Sequence, residues 1–117
     1  MEHRKYLRFN VDLKVEAKSP DNESNWGVLS DFSREGLKVV FDDFKFALAA
    51  KTQLMVQAPN SEEYFPLSAE TVWKSPAGPN KWQVGFKMKE FSPEAKSGIL
   101  EYGYNRWIKD NHYKTVV

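Results

Sequence analysis

Phe9, Val11, Leu13, Val15 and Ala17 alternate without a break with Asn10, Asp12, Lys14, Glu16 and Lys18. Successive side chains of an extended chain point to opposite faces, so this period of two predicts a strand with one buried and one solvated face. The polar cluster Ser19-Pro20-Asp21-Asn22-Glu23-Ser24-Asn25 ends it as a turn. Trp26 to Ser30 then runs into Asp31-Phe32-Ser33-Arg34-Glu35-Gly36, and Gly36 to Phe41 leaves it, so a loop at Asp31 joins two strands. Extended segments recur at Gln53 to Ala58, Tyr64 to Lys74 and Lys81 to Met88, the last two joined by the turn-rich Ser75-Pro76-Ala77-Gly78-Pro79-Asn80. Asp42 to Lys51 is ambiguous, with a short helical turn through Phe46 to Ala50 as one reading. Roughly five or six short strands in a chain of this size predict a small antiparallel barrel.

The C-terminal segment changes period. Ser92-Pro93-Glu94 combines an N-cap residue, proline at the first helical position and an acid in the first turn. Ile99/Leu100, Gly103/Tyr104 and Trp107/Ile108 follow at helical spacing. Their stripe is expected to pack on the barrel and close one end; a partner-binding face is the sharper alternative.

At 117 residues the chain fits one domain with a single core. Its net charge of +1, with acids and bases interspersed, argues against a protein that lives on DNA or an anionic membrane, both of which demand a concentrated basic face. Cysteine is absent, so disulfides, thiolate catalysis and cysteine zinc sites are excluded. No apolar run approaches a membrane span, and the basic N-terminus leads into an alternating segment rather than a signal-peptide apolar core, so a cytoplasmic location is expected. His3 and His112 belong to no ligand-spaced cluster, and the adjacent acids Asp42-Asp43 and Glu62-Glu63 would point to opposite faces of an extended chain. There is no phosphate-binding glycine loop or nucleophile arrangement. Neither catalysis nor a metal or cofactor is expected.

Two short motifs do carry chemistry. Arg4-Lys5-Tyr6-Leu7-Arg8 sets two arginines around three residues, and residues 9–30 separate it from Asp31-Phe32-Ser33-Arg34-Glu35-Gly36. An arginine fork donates two parallel hydrogen bonds to a phosphate or to the O6/N7 edge of guanine. An ionised carboxylate at Asp31 accepts only, which suits the adjacent N1 and N2 donors of guanine. The Ser33 hydroxyl can donate to a phosphate oxygen, and Gly36 permits positive φ and close approach of a ligand to the backbone. By itself each motif also has a plain reading, a solvated N-terminal tail and a hairpin loop. Together, in this order and at this separation, they read as a clamp for guanine and phosphate.

The R-x-x-x-R and D-x-S-x-x-G pair resembles the signature of the PilZ domain, the bacterial receptor module for cyclic di-GMP. The resemblance extends over about residues 3 to 90, through Ala69-Glu70-Thr71-Val72-Trp73 and Val84-Gly85-Phe86. It implies a mainly β fold, a six-stranded antiparallel PilZ-type barrel with a C-terminal helix, divided into a ligand-binding switch segment at 1–8, the barrel at 9–90 and the helix at 92–111. It implies that Arg4, Arg8, Asp31, Ser33 and Gly36 bind cyclic di-GMP, with His3 and Lys5 nearby. Trp73 either offers its π face to a guanine or packs in the core.

The resemblance also implies a receptor that is no enzyme and that signals to a downstream protein, with residues 1–8 ordering over the barrel when ligand binds. With Met1 only three positions before Arg4, the signal is expected to leave through the barrel or the helix. A PilZ-fold scaffold in pilus assembly or motility that binds no nucleotide is the alternative. Binding of single-stranded nucleic acid is a third reading, weakened by the dispersal of Trp26, Trp73, Trp82 and Trp107 and by the near-neutral charge.

Overall fold

A computed structural model describes residues 8–18, 24–42 and 51–115. Six strands, β1 (Phe9–Lys18), β2 (Ser24–Phe32), β3 (Gly36–Asp42), β4 (Thr52–Gln57), β5 (Tyr64–Gly78) and β6 (Lys81–Phe91), precede one helix, α1 (Pro93–Thr115). The strands close in the order β1-β2-β3-β6-β5-β4, every pairing antiparallel, so the expected six-stranded barrel with a C-terminal helix is what forms. Closure removes the unpaired edges that an open sheet of this size would carry.

The alternation of β1 is realised as predicted: Val11, Leu13, Val15 and Ala17 are buried in the barrel. They meet Leu29 and Phe32 from β2, Leu37, Val39 and Phe41 from β3, Leu54 and Val56 from β4, Leu67 and Ala69 from β5, and Val84 and Phe86 from β6. Each of these valine, leucine and phenylalanine side chains contributes on the order of 1.5–3 kcal/mol by leaving water, the alanines less.

The β5–β6 hairpin departs from expectation. Residues 75–78 belong to the ladder, with Ser75 opposite Gln83 and Pro76 opposite Trp82, so the connection is not a loop from Ser75 to Asn80. Pro76 is tolerated because the register shifts between Pro76 and Gly78, where a strand residue without an N–H costs little. Gly78 at φ 143° and Asn80 at φ 58° supply the backbone angles that the tight reversal needs.

Ser92 caps α1, its hydroxyl accepting from Ala95 N–H at 3.4 Å and its carbonyl from Lys96 N–H at 2.9 Å. The helix runs to Thr115 rather than ending at 111. Only its first half packs as expected: Ala95 and Ile99 are buried, Leu100 and Tyr102 lie against the core, and Gly103 meets β1. The second half corrects the expectation, because Tyr104, Trp107 and Ile108 are exposed. A helix of 23 residues is about 35 Å long, more than the barrel's end can cover.

Residues 1–7, which hold His3, Arg4 and Lys5, lie outside the described residues. So do the turn at 19–23 and the ambiguous segment 43–50.

Candidate functional site

Two bulges build the site. Strict alternation along β2 turns Gly27 and Leu29 toward the interior, where Leu29 is buried, and continued alternation would turn Asp31 inward as well. Leu29 pairs with Val39 but Asp31 pairs with Lys38, so Ser30 is an extra residue against β3. On the other side, the register with β1 shifts between Asn10 and Leu13, and Asp12 takes a positive φ of 50°. One added residue inverts the facing of everything after it. Phe32 is therefore buried, and Asp31 stays on the outer face with its side chain 29% exposed.

β5 does the same. Thr71 pairs with Phe86 and Trp73 with Gly85, leaving Val72 unpaired against β6. Trp73 would otherwise continue the inward series of Leu67, Ala69 and Thr71; the bulge moves it outside, 42% exposed. Of the two readings left open for Trp73, burial in the core is the one that this position rules out. Gly85 is required beneath it, because a Cβ there would overlap indole atoms Nε1 and Cε2 of Trp73. Beside the bulge, Thr71 Oγ1 is buried without a protein hydrogen-bond partner among the described residues.

These displacements place Asp31, Lys38, Gly85 and Trp73 in one cross-strand row over β2, β3, β6 and β5. With strands about 4.8 Å apart, the row from Asp31 to Gly85 spans about 10 Å, and the Trp73 indole leans back over Gly85. The row floors a shallow pocket of about 150 Å³ lined by Arg8, Asp31, Gly36, Lys38, Val72 and Trp73 among others. Lys38 Nζ lies 3.1 Å from Asp31 Oδ2. Arg8 enters from the residue before β1, whose first position, Phe9, pairs with Phe32 at the end of β2.

The Asp31-to-Gly36 segment closes as a tight hairpin. Ser33 N–H donates to the Gly36 carbonyl at 2.9 Å, the Ser33 hydroxyl donates to the same oxygen at 3.2 Å, and Gly36 N–H donates to Ser33 Oγ at 3.2 Å. Met88 N–H holds the tip through the Glu35 carbonyl at 2.8 Å. Ser33 is thus buried at 7% exposure and spends its hydroxyl on the turn. The positive φ expected of Gly36 is not what this position uses its freedom for. It takes no left-handed φ, but a Cβ on it would stand 3.0 Å from the Phe86 carbonyl oxygen, so its missing side chain lets β3 lie close to β6.

Of the sequence-predicted residues, Arg8, Asp31, Gly36 and Trp73 meet at one pocket, and Ser33 shapes its rim. Sequence reasoning missed Lys38, Val72 and Gly85. Lys38 is the single charge in Gly36-Leu37-Lys38-Val39-Val40-Phe41, a signal that reads as an ordinary solvated position until its register with Asp31 is known. Among the described residues no group of three or more His, Cys, Asp or Glu side chains could hold a metal ion. Nor is any helix among them long and apolar enough to cross a membrane.

Residues 2–104 match the family model of the PilZ domain. The chain belongs to the PilZ domain family. Solved structures agree in fold at low identity. The PilZ domain of YcgR from Escherichia coli, solved with c-di-GMP, is 17% identical with a TM-score of 0.70; the match covers 99% of this chain and 100% of that one. The inhibitor of motility MotI/DgrA of Bacillus subtilis is 18% identical with a TM-score of 0.72, covering 93% of this chain and 53% of that one. The MrkH–c-di-GMP complex of K. pneumonia is 12% identical with a TM-score of 0.68, covering 97% and 56%. This chain therefore spans about half the length of the last two. No curated protein gives a significant match.

Proposed function

We propose that this PilZ domain is a cyclic di-GMP receptor that acts without catalysis and passes its signal to a partner protein. The observation that carries the reading is the outer-face row of Asp31, Lys38, Gly85 and Trp73 beside Arg8, which the bulges at Ser30 and Val72 bring together over one pocket. Asp31 accepts from the Watson–Crick donors of a guanine, and the Trp73 indole offers that base an aromatic surface. Arg8 donates its fork to a phosphate or to a second guanine edge. Structures of YcgR and MrkH with c-di-GMP support the ligand assignment.

A pocket of about 150 Å³ is smaller than the roughly 300 Å³ or more usual for a small-molecule site, so this wall holds one part of a dinucleotide. The remainder falls to the segment carrying Arg4, with His3 and Lys5 beside it; Arg4 would supply the second fork of the clamp. Ser33 contributes by fixing the turn that carries Asp31, and Gly36 by allowing that turn to seat. Binding at Arg8 is adjacent to α1 through Phe9, which supports signalling from the helix end in a cytoplasmic protein; the likeness to an inhibitor of motility supports motility as the process controlled.

Calorimetric titration tests the reading, with cyclic di-AMP and GMP as controls. Saturable binding of cyclic di-GMP is expected, and Arg8→Ala and Asp31→Ala should each weaken it by about 1.5–3 kcal/mol, roughly tenfold to a hundredfold. Absence of binding, or binding by both variants as tight as by the unaltered protein, would reject it.

A further inference from the structure

We infer that Lys38 is a base-reading residue of this site, donating from its ammonium to O6 of the same guanine whose N1–H and N2–H donate to Asp31. The inference rests on the receptor reading given above and adds to it the source of selectivity for guanine.

A carboxylate alone does not define guanine. Asp31 could still accept one hydrogen bond from the exocyclic amine of adenine, although adenine N1 is an acceptor where guanine carries a donor. The Watson–Crick edge of guanine adds to its two donors an acceptor, O6, immediately beside them, whereas adenine has an amine at the corresponding position. A protein edge that reads guanine must therefore place a donor next to its acceptor. Asp31 and Lys38 are that pair: they are direct cross-strand partners, their side chains are equally exposed at 29%, and Nζ lies 3.1 Å from Oδ2. Both line the pocket, and Lys38 sits between Asp31 and the Gly85/Trp73 floor. A base that engages Asp31 and reaches the indole must cross the Lys38 ammonium.

The existing ion pair does not stand in the way. An ammonium has three donors and a carboxylate has about four acceptor positions on two oxygens, so each can keep the other while serving the base. Adenine in the same seat would bring its amine against the ammonium, two donors facing one another with no acceptor between. The position of Lys38 is also well held, since the Ser30 hydroxyl donates to its carbonyl at 3.2 Å, tying the bulge residue to β3 at this point in the row.

A lysine that acted only as a phosphate counterion, or only as a brace for Asp31, would show a different ligand dependence. The test compares three ligands, cyclic di-GMP, its 6-thioguanine analogue and cyclic di-AMP, by titration into the intact protein, Lys38→Met and Arg8→Ala. The thio analogue keeps N1–H and N2–H but replaces O6 with a poor acceptor. Lys38→Met should lower cyclic di-GMP affinity by about tenfold or more while changing the other two ligands far less, so that the native preference for guanine over 6-thioguanine collapses. Arg8→Ala should weaken all three, without altering that preference where its fork holds a phosphate and with a smaller change than Lys38→Met where it holds a second guanine edge. Equal loss on all three ligands with Lys38→Met, an unchanged preference, or no loss at all would overturn the inference and leave the receptor reading intact. Failure of the unaltered protein to bind cyclic di-GMP would overturn both. Lys38 lies on the outer face of the sheet, and a thermal melt of Lys38→Met matching the unaltered protein confirms that affinity, not folding, is being read.

Discussion

Gly85 is where one missing side chain governs the site. Glycine in the middle of a strand is unfavourable for backbone entropy and packing, so Ala would ordinarily be an improvement at such a position. Here the indole of Trp73 occupies the space that a Cβ would take, and an indole ring is too rigid to yield locally. Gly85→Ala should therefore push Trp73 off the pocket floor, blue- or red-shifting its fluorescence and weakening cyclic di-GMP binding by roughly tenfold, while the melting temperature changes little; unchanged binding would count against Trp73 as a ligand surface. Residues of this kind divide by how they can be read. Arg8 and Asp31 are legible in sequence because their chemistry is rare in combination. Gly85 and Lys38 are not, because a strand glycine and an outward lysine have their meaning only through the neighbours that register gives them.

At the scale of elements, the strands and the helix were readable from period and capping, and the bulges were not. The period of two in β1 and the Ser92-Pro93-Glu94 start of α1 are local signals, decided by residues adjacent in sequence. A bulge is a mismatch in count between two strands, so Ser30 and Val72 carry no mark of it on their own chain. That is why the facing of Trp73 stayed open from sequence, and why the Pro76 segment looked like a loop.

The contact between α1 and β1 shows the same dependence on a distant partner. A Cβ on Gly103 would stand 2.5 Å from Phe9 Cβ and 3.0 Å from Val11 Cγ1, and a Cβ cannot turn away by changing rotamer. Ala gains about 1 kcal/mol of helix propensity over Gly, whereas overpacking costs about 1–3 kcal/mol. Gly103→Ala should thus be net destabilising, by up to about 2 kcal/mol in urea denaturation, and should shift the amide resonances of Phe9 and Arg8. A stabilised variant would mean that α1 is free to slide along β1. The ion pair of Arg106 Nη2 with Asp12 Oδ2 at 3.1 Å works against sliding. Burial opposes the charge on this guanidinium, but its hydrogen bond to Asp12, aided by the charges of Tyr102, Asp12 and Asp110, raises its pKa above the ordinary value.

For the whole molecule, the long axis of 52 Å against 31 and 26 Å records a barrel with a helix that outruns it. The two halves of α1 ought then to contribute very differently to stability. Ile99 is fully buried in the barrel's core, and truncating a buried isoleucine both forfeits its transfer free energy and leaves a cavity that a closed barrel, with no free strand edge to move inward, relaxes poorly. Ile99→Ala should cost about 2–5 kcal/mol in equilibrium denaturation. Ile108, one helical stripe further along, is 41% exposed; Ile108→Ser should stay within about 0.5 kcal/mol of the parent. Similar losses at the two positions would mean that the distal half is covered in solution, and the concentration dependence of the midpoint would then identify a second copy of the chain as the cover. The expected asymmetry instead makes residues 93–103 part of the domain's core and leaves the distal half held to β1 by the surface contacts of Tyr104 and Arg106, where its exposed residues are free to answer to something other than stability.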